Sequence, residues 1–316
     1  MLNNRILAAC LALILAAPLA AQAQTPLNRI VVFGTSLSDP GNAFALVGGT
    51  NTPPDYAVDP FLVPERPYAR GGHHFSNGAT WIEQYAAPSG LSASVQPAFR
   101  DAGAKASNYA VGGARAREVP DNVHLSLQVV TFLHNSSGAA PADALYVIEM
   151  GGNDLRDALF AFAGGGDGGP IIAAAITSIA DNIAQLYAAG ARRFLVWNAP
   201  NLGLTPAVRG LGPAAVGLAD FLSQTFNWSL GTALDSLPGA LPGIEFVRLD
   251  VYQKLAEVVG NPEGFGLTEV ATACITPSVP PFACKNPDEY LFWDGIHPTR
   301  AVHAILAHAA AAALGQ

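Results

Sequence analysis

The sequence predicts an α/β fold, a parallel sheet with helices over both of its faces. Two features predict it. Apolar, β-branched runs alternate with stretches of helical periodicity along the chain. The strand-like runs are also continuously apolar, as strands covered on both faces are, rather than alternating apolar with polar.

Residues 29–33 form the first strand and enter a Gly-Thr-Ser turn. Residues 104–111 read as a second strand and 142–149 as a third. Residues 171–189 have helical spacing and stop at Gly190, a residue suited to the left-handed position that ends a helix. A strand over 193–198, a long helix over 214–237, a strand over 243–249 and a helix over 252–259 follow. An alanine-rich helix over 299–314 closes the chain. Residues 43–81 are irregular, rich in proline, glycine and aromatics, and the glycine run at 164–169 reads as a loop. Neither an internal repeat nor a long linker interrupts the pattern, so one domain over residues 24–316 is expected.

Half of the 316 residues are hydrophobic and 13% are charged, which excludes a disordered composition. The formal net charge of −8 excludes the basic stripe of a nucleic-acid binder. Residues 1–5 carry one positive charge, Arg5; residues 6–21 are apolar apart from Pro18; and Ala21-Gln22-Ala23 has the small-x-small form of a signal-peptidase site. Residues 1–23 are therefore expected to be a cleaved leader for secretion or export to the periplasm. The run is short for a membrane anchor, so no membrane-spanning segment is expected in the mature chain. With the last helix closing the chain, no C-terminal membrane barrel is expected either. Cys10 leaves with the leader. Cys274 and Cys284 remain as an even pair around a proline-rich loop, and in an oxidising compartment a disulfide is the favoured reading, two buried thiols the alternative. Two cysteines do not make a structural zinc site, and neither a metal nor a cofactor is expected.

Four short stretches carry chemistry. Gly34-Thr35-Ser36-Leu37-Ser38-Asp39 sets a serine at the carboxyl end of the first strand, the edge where doubly wound sheets bind ligands. A helix starting near Ser36 would aim its N–H groups at a developing oxyanion. Asn108 to Ala114 run from strand into the Gly112-Gly113 turn, where Gly113 can offer an N–H to a carbonyl oxygen. Gly151-Gly152-Asn153-Asp154 follows the strongest strand, and the Asn153 amide can donate there. Trp293-Asp294-Gly295-Ile296-His297-Pro298 puts an acid and an imidazole on one loop before the closing helix. Each stretch alone has an ordinary reading: a helix cap, a positive-φ turn, a helix start, an incidental Asp-x-x-His. Together they supply a nucleophile, a base, its orienter and oxyanion donors. His73 and His74 read as solvated loop residues, His303 and His308 as surface or helix-end residues, and His124 and His134 show no ligand spacing.

The four stretches resemble the sequence blocks of the GDSL or SGNH hydrolases, and Phe75-Ser76-Asn77-Gly78 with Trp81 resembles a stretch of their lipase/acylhydrolase branch. The resemblance spans almost the whole mature chain. It implies a flavodoxin-like three-layer αβα sandwich, a catalytic triad of Ser36, Asp294 and His297, and an oxyanion hole of Ser36, Gly113 and Asn153, with no metal. The chain departs from the name-giving Gly-Asp-Ser-Leu at one position, Thr35. No Gly-x-Ser-x-Gly elbow occurs, which disfavours an ordinary α/β-hydrolase. The expected activity is hydrolysis of a small-molecule or lipid carboxylester. Acyl transfer to an alcohol by the same triad, a carbohydrate-ester deacetylase and a non-catalytic binding protein are the alternatives.

Overall fold

The computed structural model describes residues 27–59, 61–100 and 105–316; the expected leader lies outside them. Four strands, β1 (Arg29–Gly34), β2 (Ala144–Glu149), β3 (Arg193–Trp197) and β4 (Glu245–Leu249), pair in parallel in that spatial order. The helices are α1 (Asn42–Leu46), α2 (Trp81–Ala86), α3 (Leu125–Asn135), α4 (Gly152–Ala163), α5 (Gly169–Ala188), α6 (Pro206–Arg209), α7 (Pro213–Ala240), α8 (Val251–Gly260) and α9 (Arg300–Ala313).

The period of two along each strand divides the side chains between two cores. Val31 and Phe33 of β1, Tyr146 and Ile148 of β2, and Phe194 and Val196 of β3 face α3, α4, α5 and α7. Ile30 and Val32, Leu145 and Val147, and Leu195 and Trp197 point the other way, against α2, α8 and α9. Every residue of β2 is buried, which explains its continuous apolar spelling. The result is a three-layer αβα sandwich. By length and composition α5 is apolar enough to cross a bilayer. Its Ile172, Ala175, Ile179, Ile183 and Leu186, three or four residues apart, pack into the first core, as on a helix buried along one stripe.

The expected second strand is not laddered as one. Residues 107–111 run beside β1 and make three backbone bonds to it: Val32 N to Ser107 O at 2.9 Å, Tyr109 N to Val32 O at 2.7 Å and Val111 N to Gly34 O at 3.1 Å. They occupy the place of an edge strand, so the spatial order is that segment, β1, β2, β3, β4, the flavodoxin-like order. Asn42 Nδ2 takes the carbonyls of Asn108 and Ala110, each at 2.8 Å, and a side-chain partner replaces a regular ladder there.

A small sheet that the sequence reading missed pairs β5 (Glu269–Ala273) in parallel with β6 (Tyr290–Phe292). Cys274 and Cys284 are joined by a disulfide across 10 residues, immediately after β5. The adjoining bonds from Cys274 N to Phe292 O and from Ile275 N to Trp293 O tie this clip to the strand that delivers Asp294. Closing a loop of this length restricts the unfolded chain by about 3 kcal/mol in the chain-entropy account. A Cys274→Ser, Cys284→Ser double variant is therefore expected to melt several degrees lower in a thermal unfolding scan. An unchanged melting temperature would contradict that role.

Candidate active site

The four stretches meet along the carboxyl edge of the sheet. β1 ends at Gly34, and Thr35 to Ser38 form a turn closed by Ser38 N to Thr35 O at 3.1 Å. The helix expected at Ser36 is absent: the next helix, α1, begins only at Asn42. Side-chain bonds hold the chain there in its place. Asp39 Oδ1 accepts from the N–H groups of Gly41 at 2.8 Å and Asn42 at 2.6 Å, while Oδ2 accepts from Ala43 and, across the edge, from Gly112 at 2.8 Å. Asn108 Nδ2 donates to Ser38 O and the Trp81 indole donates to Ser38 Oγ, which fixes the far side of the turn.

On the opposite side of the cleft, Asp294 is fully buried and its carboxylate is saturated. Oδ1 accepts from the backbone N–H of Ile296 and His297 at 2.9 and 2.7 Å, a side-chain-to-backbone turn that sets the loop. Oδ2 accepts from Tyr68 Oη at 2.9 Å and from His297 Nδ1 at 2.7 Å. An ionised carboxylate only accepts, so the ring proton sits on Nδ1 and Nε2 is left as acceptor. Nε2 lies 2.9 Å from Ser36 Oγ. Position 295 is glycine for a reason of space: a Cβ there would run into the Phe61 carbonyl, because Phe61 and Leu62 pass directly over it. The Phe75 ring stacks at a tilt on His297, 5.4 Å between centroids, and Thr299 caps α9 directly behind the loop.

Asn153 stands in the first turn of α4 and is nearly buried; its Nδ2 donates to Ala114 O at 2.8 Å, which leaves a second amide hydrogen. Gly113 has φ +80°, the left-handed turn that glycine favours, and its carbonyl is held by Arg115 Nη1 and Asn122 Nδ2. Among the described residues the N–H groups of Ser36 and Gly113 donate to no acceptor. Ser36, Gly113, Asn153 and His297 line one cavity of about 610 Å³. Most of its wall is apolar, with Phe75, Met150, Leu159, Phe160, Leu202 and Val208 among the lining residues.

Several functional neighbours escaped the sequence reading. Tyr68 holds Asp294 from 226 residues away, and nothing local marks it. Glu149 ends β2 and was spelled as part of a strand; its carboxylate accepts from Thr35 N at 2.9 Å and from Thr35 Oγ1. Two histidine expectations are corrected. His74 is buried and paired with Glu83 at 2.9 Å. His303 faces inward on α9 and is buried, with Nδ1 accepting from Trp81 N. Burial of its ring, ahead of the neighbouring histidines, pushes His303 down to about 3.

A family model described as GDSL-like lipase/acylhydrolase matches residues 30–310. A GDSL esterase/lipase of Arabidopsis thaliana is 30% identical over 183 residues, so the match spans about half, 52%, of each of the two chains. Another from the same organism is 27% identical over 313 residues, covering 89% of this chain and 87% of that one. The extracellular lipase of Streptomyces rimosus, of known crystal structure, is 15% identical and aligns with a TM-score of 0.39 over 89% of this chain and 99% of its own.

Thr35, where the family motif carries aspartate, has a partner that explains it. An aspartate there would set a second carboxylate against Glu149, whereas threonine donates to it. Burial pushes Glu149 up to about 7 from 4.5, and the Thr35 and Ser38 donors only partly offset that. A carboxyl raised on folding stabilises the fold fully below its ordinary value, and the contribution is lost as pH rises through the folded one. The window therefore runs from about 4.5 to about 7. Glu149→Gln should gain stability relative to the parent across that window, by on the order of 3 kcal/mol at most. Thermal melts of both proteins at the two ends of the window check this. A difference that stays constant with pH would contradict it.

Proposed function

Because the chain belongs to the family of GDSL-like lipases and acylhydrolases, and is thereby an ester-bond hydrolase, we propose that it is a secreted carboxylester hydrolase acting through a Ser36 acyl-enzyme. The observation that carries the reading is the continuous line of hydrogen bonds from Asp294 Oδ2 through the His297 ring to Ser36 Oγ, at 2.7 and 2.9 Å. This is the geometry a nucleophile, base and orienter require.

His297 Nε2 takes the Ser36 proton as Oγ attacks the ester carbonyl. The carbonyl oxygen becomes an oxyanion, held by the N–H groups of Ser36 and Gly113 and by the second amide hydrogen of Asn153. Asp294 stabilises the imidazolium, and Tyr68, sharing the same carboxylate oxygen, keeps Asp294 aimed at the ring. The tetrahedral species collapses, the carbon–alkoxy bond breaks, and His297 returns its proton to the leaving alcohol. A water deprotonated by the same nitrogen then attacks the acyl-enzyme and releases the acid and Ser36. The apolar wall supports an acyl chain in the cavity. The disulfide supports export to an oxidising compartment, in keeping with the leader read over residues 1–23 and one mature domain over 24–316.

Hydrolysis of p-nitrophenyl esters of increasing acyl length tests the reading. Ser36→Ala should abolish turnover. Asn153→Ala should lower kcat by about 100- to 1000-fold, the usual cost of one oxyanion donor, with its circular dichroism and melting curve showing a folded protein. Near-full turnover by either variant would sink the role assigned to that residue. Product analysis with an added alcohol separates hydrolysis from acyl transfer.

A further inference from the structure

α4 presents a second polar side chain to the cavity one turn beyond Asn153. Arg156 lines the same space as Ser36 and His297. Three residues on, it shares the helix face of Asn153 and stands about 4.5 Å further along the axis. The charges beside it are already matched. Arg115 forms a two-pronged pair with Asp157, Nε to Oδ2 at 3.0 Å and Nη2 to Oδ1 at 2.9 Å. Arg117 bridges Asp154 at 2.8 Å and Asp157 at 2.7 Å. Two guanidinium groups thus meet two carboxylates, and Arg156 is left over. Among the described residues it donates no hydrogen bond and forms no ion pair. Burial, ahead of the neighbouring Arg115, disfavours its charge, and the attraction of Asp157 and Asp59 offsets that only in part, though a guanidinium does not give up its proton in water. Among the described residues its N–H donors therefore meet no acceptor on the wall of the cavity.

The other charged groups of the wall do not neutralise it. Asp59 and Glu65 are exposed, and Asp59 Oδ1 is occupied by the backbone N–H groups of Phe61 and Val63. Glu149 lies beneath Thr35 and is held there by its donors. Solvent screens exposed carboxylates far more than it screens a largely buried guanidinium. Leu159 and Phe160, on the same helix, with Leu202, Val208 and Leu211 give the wall an apolar stretch.

We propose that Arg156 is a specificity-determining residue, and that the preferred substrate is an amphiphilic ester carrying an anionic group, a carboxylate or a phosphate, a few bonds from the ester carbonyl. The guanidinium takes the anion in a forked pair while the apolar chain follows the cavity wall. This rests on the esterase reading for Ser36.

The test uses two matched pairs of esters. The first is the mono-p-nitrophenyl ester of a dicarboxylic acid against its methyl-capped form, which places the anion on the acyl side. The second is a 1-acylglycerol-3-phosphate against the 1-acylglycerol of equal chain length, which places it on the alcohol side. In at least one pair the wild type should favour the anionic member. Arg156→Gln should then lower the anionic-to-neutral ratio of kcat/KM about tenfold or more, the worth of a charge-assisted hydrogen bond, with Arg156→Lys intermediate. No anionic preference in either pair, or a loss that falls equally on both members, overturns the proposal. Calorimetric binding of the second pair to the Ser36→Ala protein separates it from the esterase reading. Tighter binding of the phosphate ester that disappears with Arg156→Gln supports the anion site even if turnover is absent; equal binding of the two esters, together with no anionic preference in turnover of the first pair, overturns it.

Discussion

The Asp39 carboxylate is the interaction on which the arrangement of the proposed catalytic edge depends. It is fully buried, and burial pushes it up to about 6, yet four backbone N–H groups converge on its two oxygens. Three belong to the residues that follow it and set the exit from the Ser36 turn. The fourth, from Gly112, reaches across 73 residues of chain and fixes the turn that carries Gly113. The proposed nucleophile and a proposed oxyanion donor thus hang from one side chain. Asn42 and Asn108 reinforce the same clasp by bonding to backbone on either side of it. Side-chain bonds here do the work that a helix N-terminus was expected to do.

The rest of the edge follows a similar rule, in which buried carboxylates fix backbone. Asp294 sets its own loop and the His297 ring together. Asp154 accepts from Ala116 N at 2.8 Å and from Arg117, so the start of α4, with Asn153 on it, is moored to the segment just past Gly113. The parallel sheet supplies the common origin: β1 and β2 pair in register from Arg29 and Ala144 to Gly34 and Glu149, so the turns after them begin side by side.

This division explains what the sequence makes legible. Continuous apolar runs reveal β1 to β3, and glycine-rich or proline-bounded ends reveal where their turns begin. Ser36 and Asn153 stand at such ends, Gly113 at the glycine turn after the 107–111 segment and His297 before the proline that opens the last helix, and the structure brings these four around one cavity with Asp294 buried behind His297. Polar partnerships across the chain leave no such trace. Tyr68 looks like any aromatic in an irregular loop until Asp294 is found beside it. His303 reads as a surface residue because an alanine-rich helix has a weak polar contrast, and only packing against Trp81 shows it buried. The short strands β5 and β6 carry three to five residues each and depend on each other and on the disulfide, so periodicity alone does not reveal them.

The central claim is that Ser36 is the nucleophile because His297 activates it. Its most direct test is covalent capture. The protein is treated with a diethyl aryl phosphate, then measured by intact mass and by peptide mapping. The account predicts one diethylphosphoryl group per chain, on Ser36, with labelling that fails in His297→Ala. A label on another residue, or esterase activity that survives complete labelling of Ser36, would contradict it.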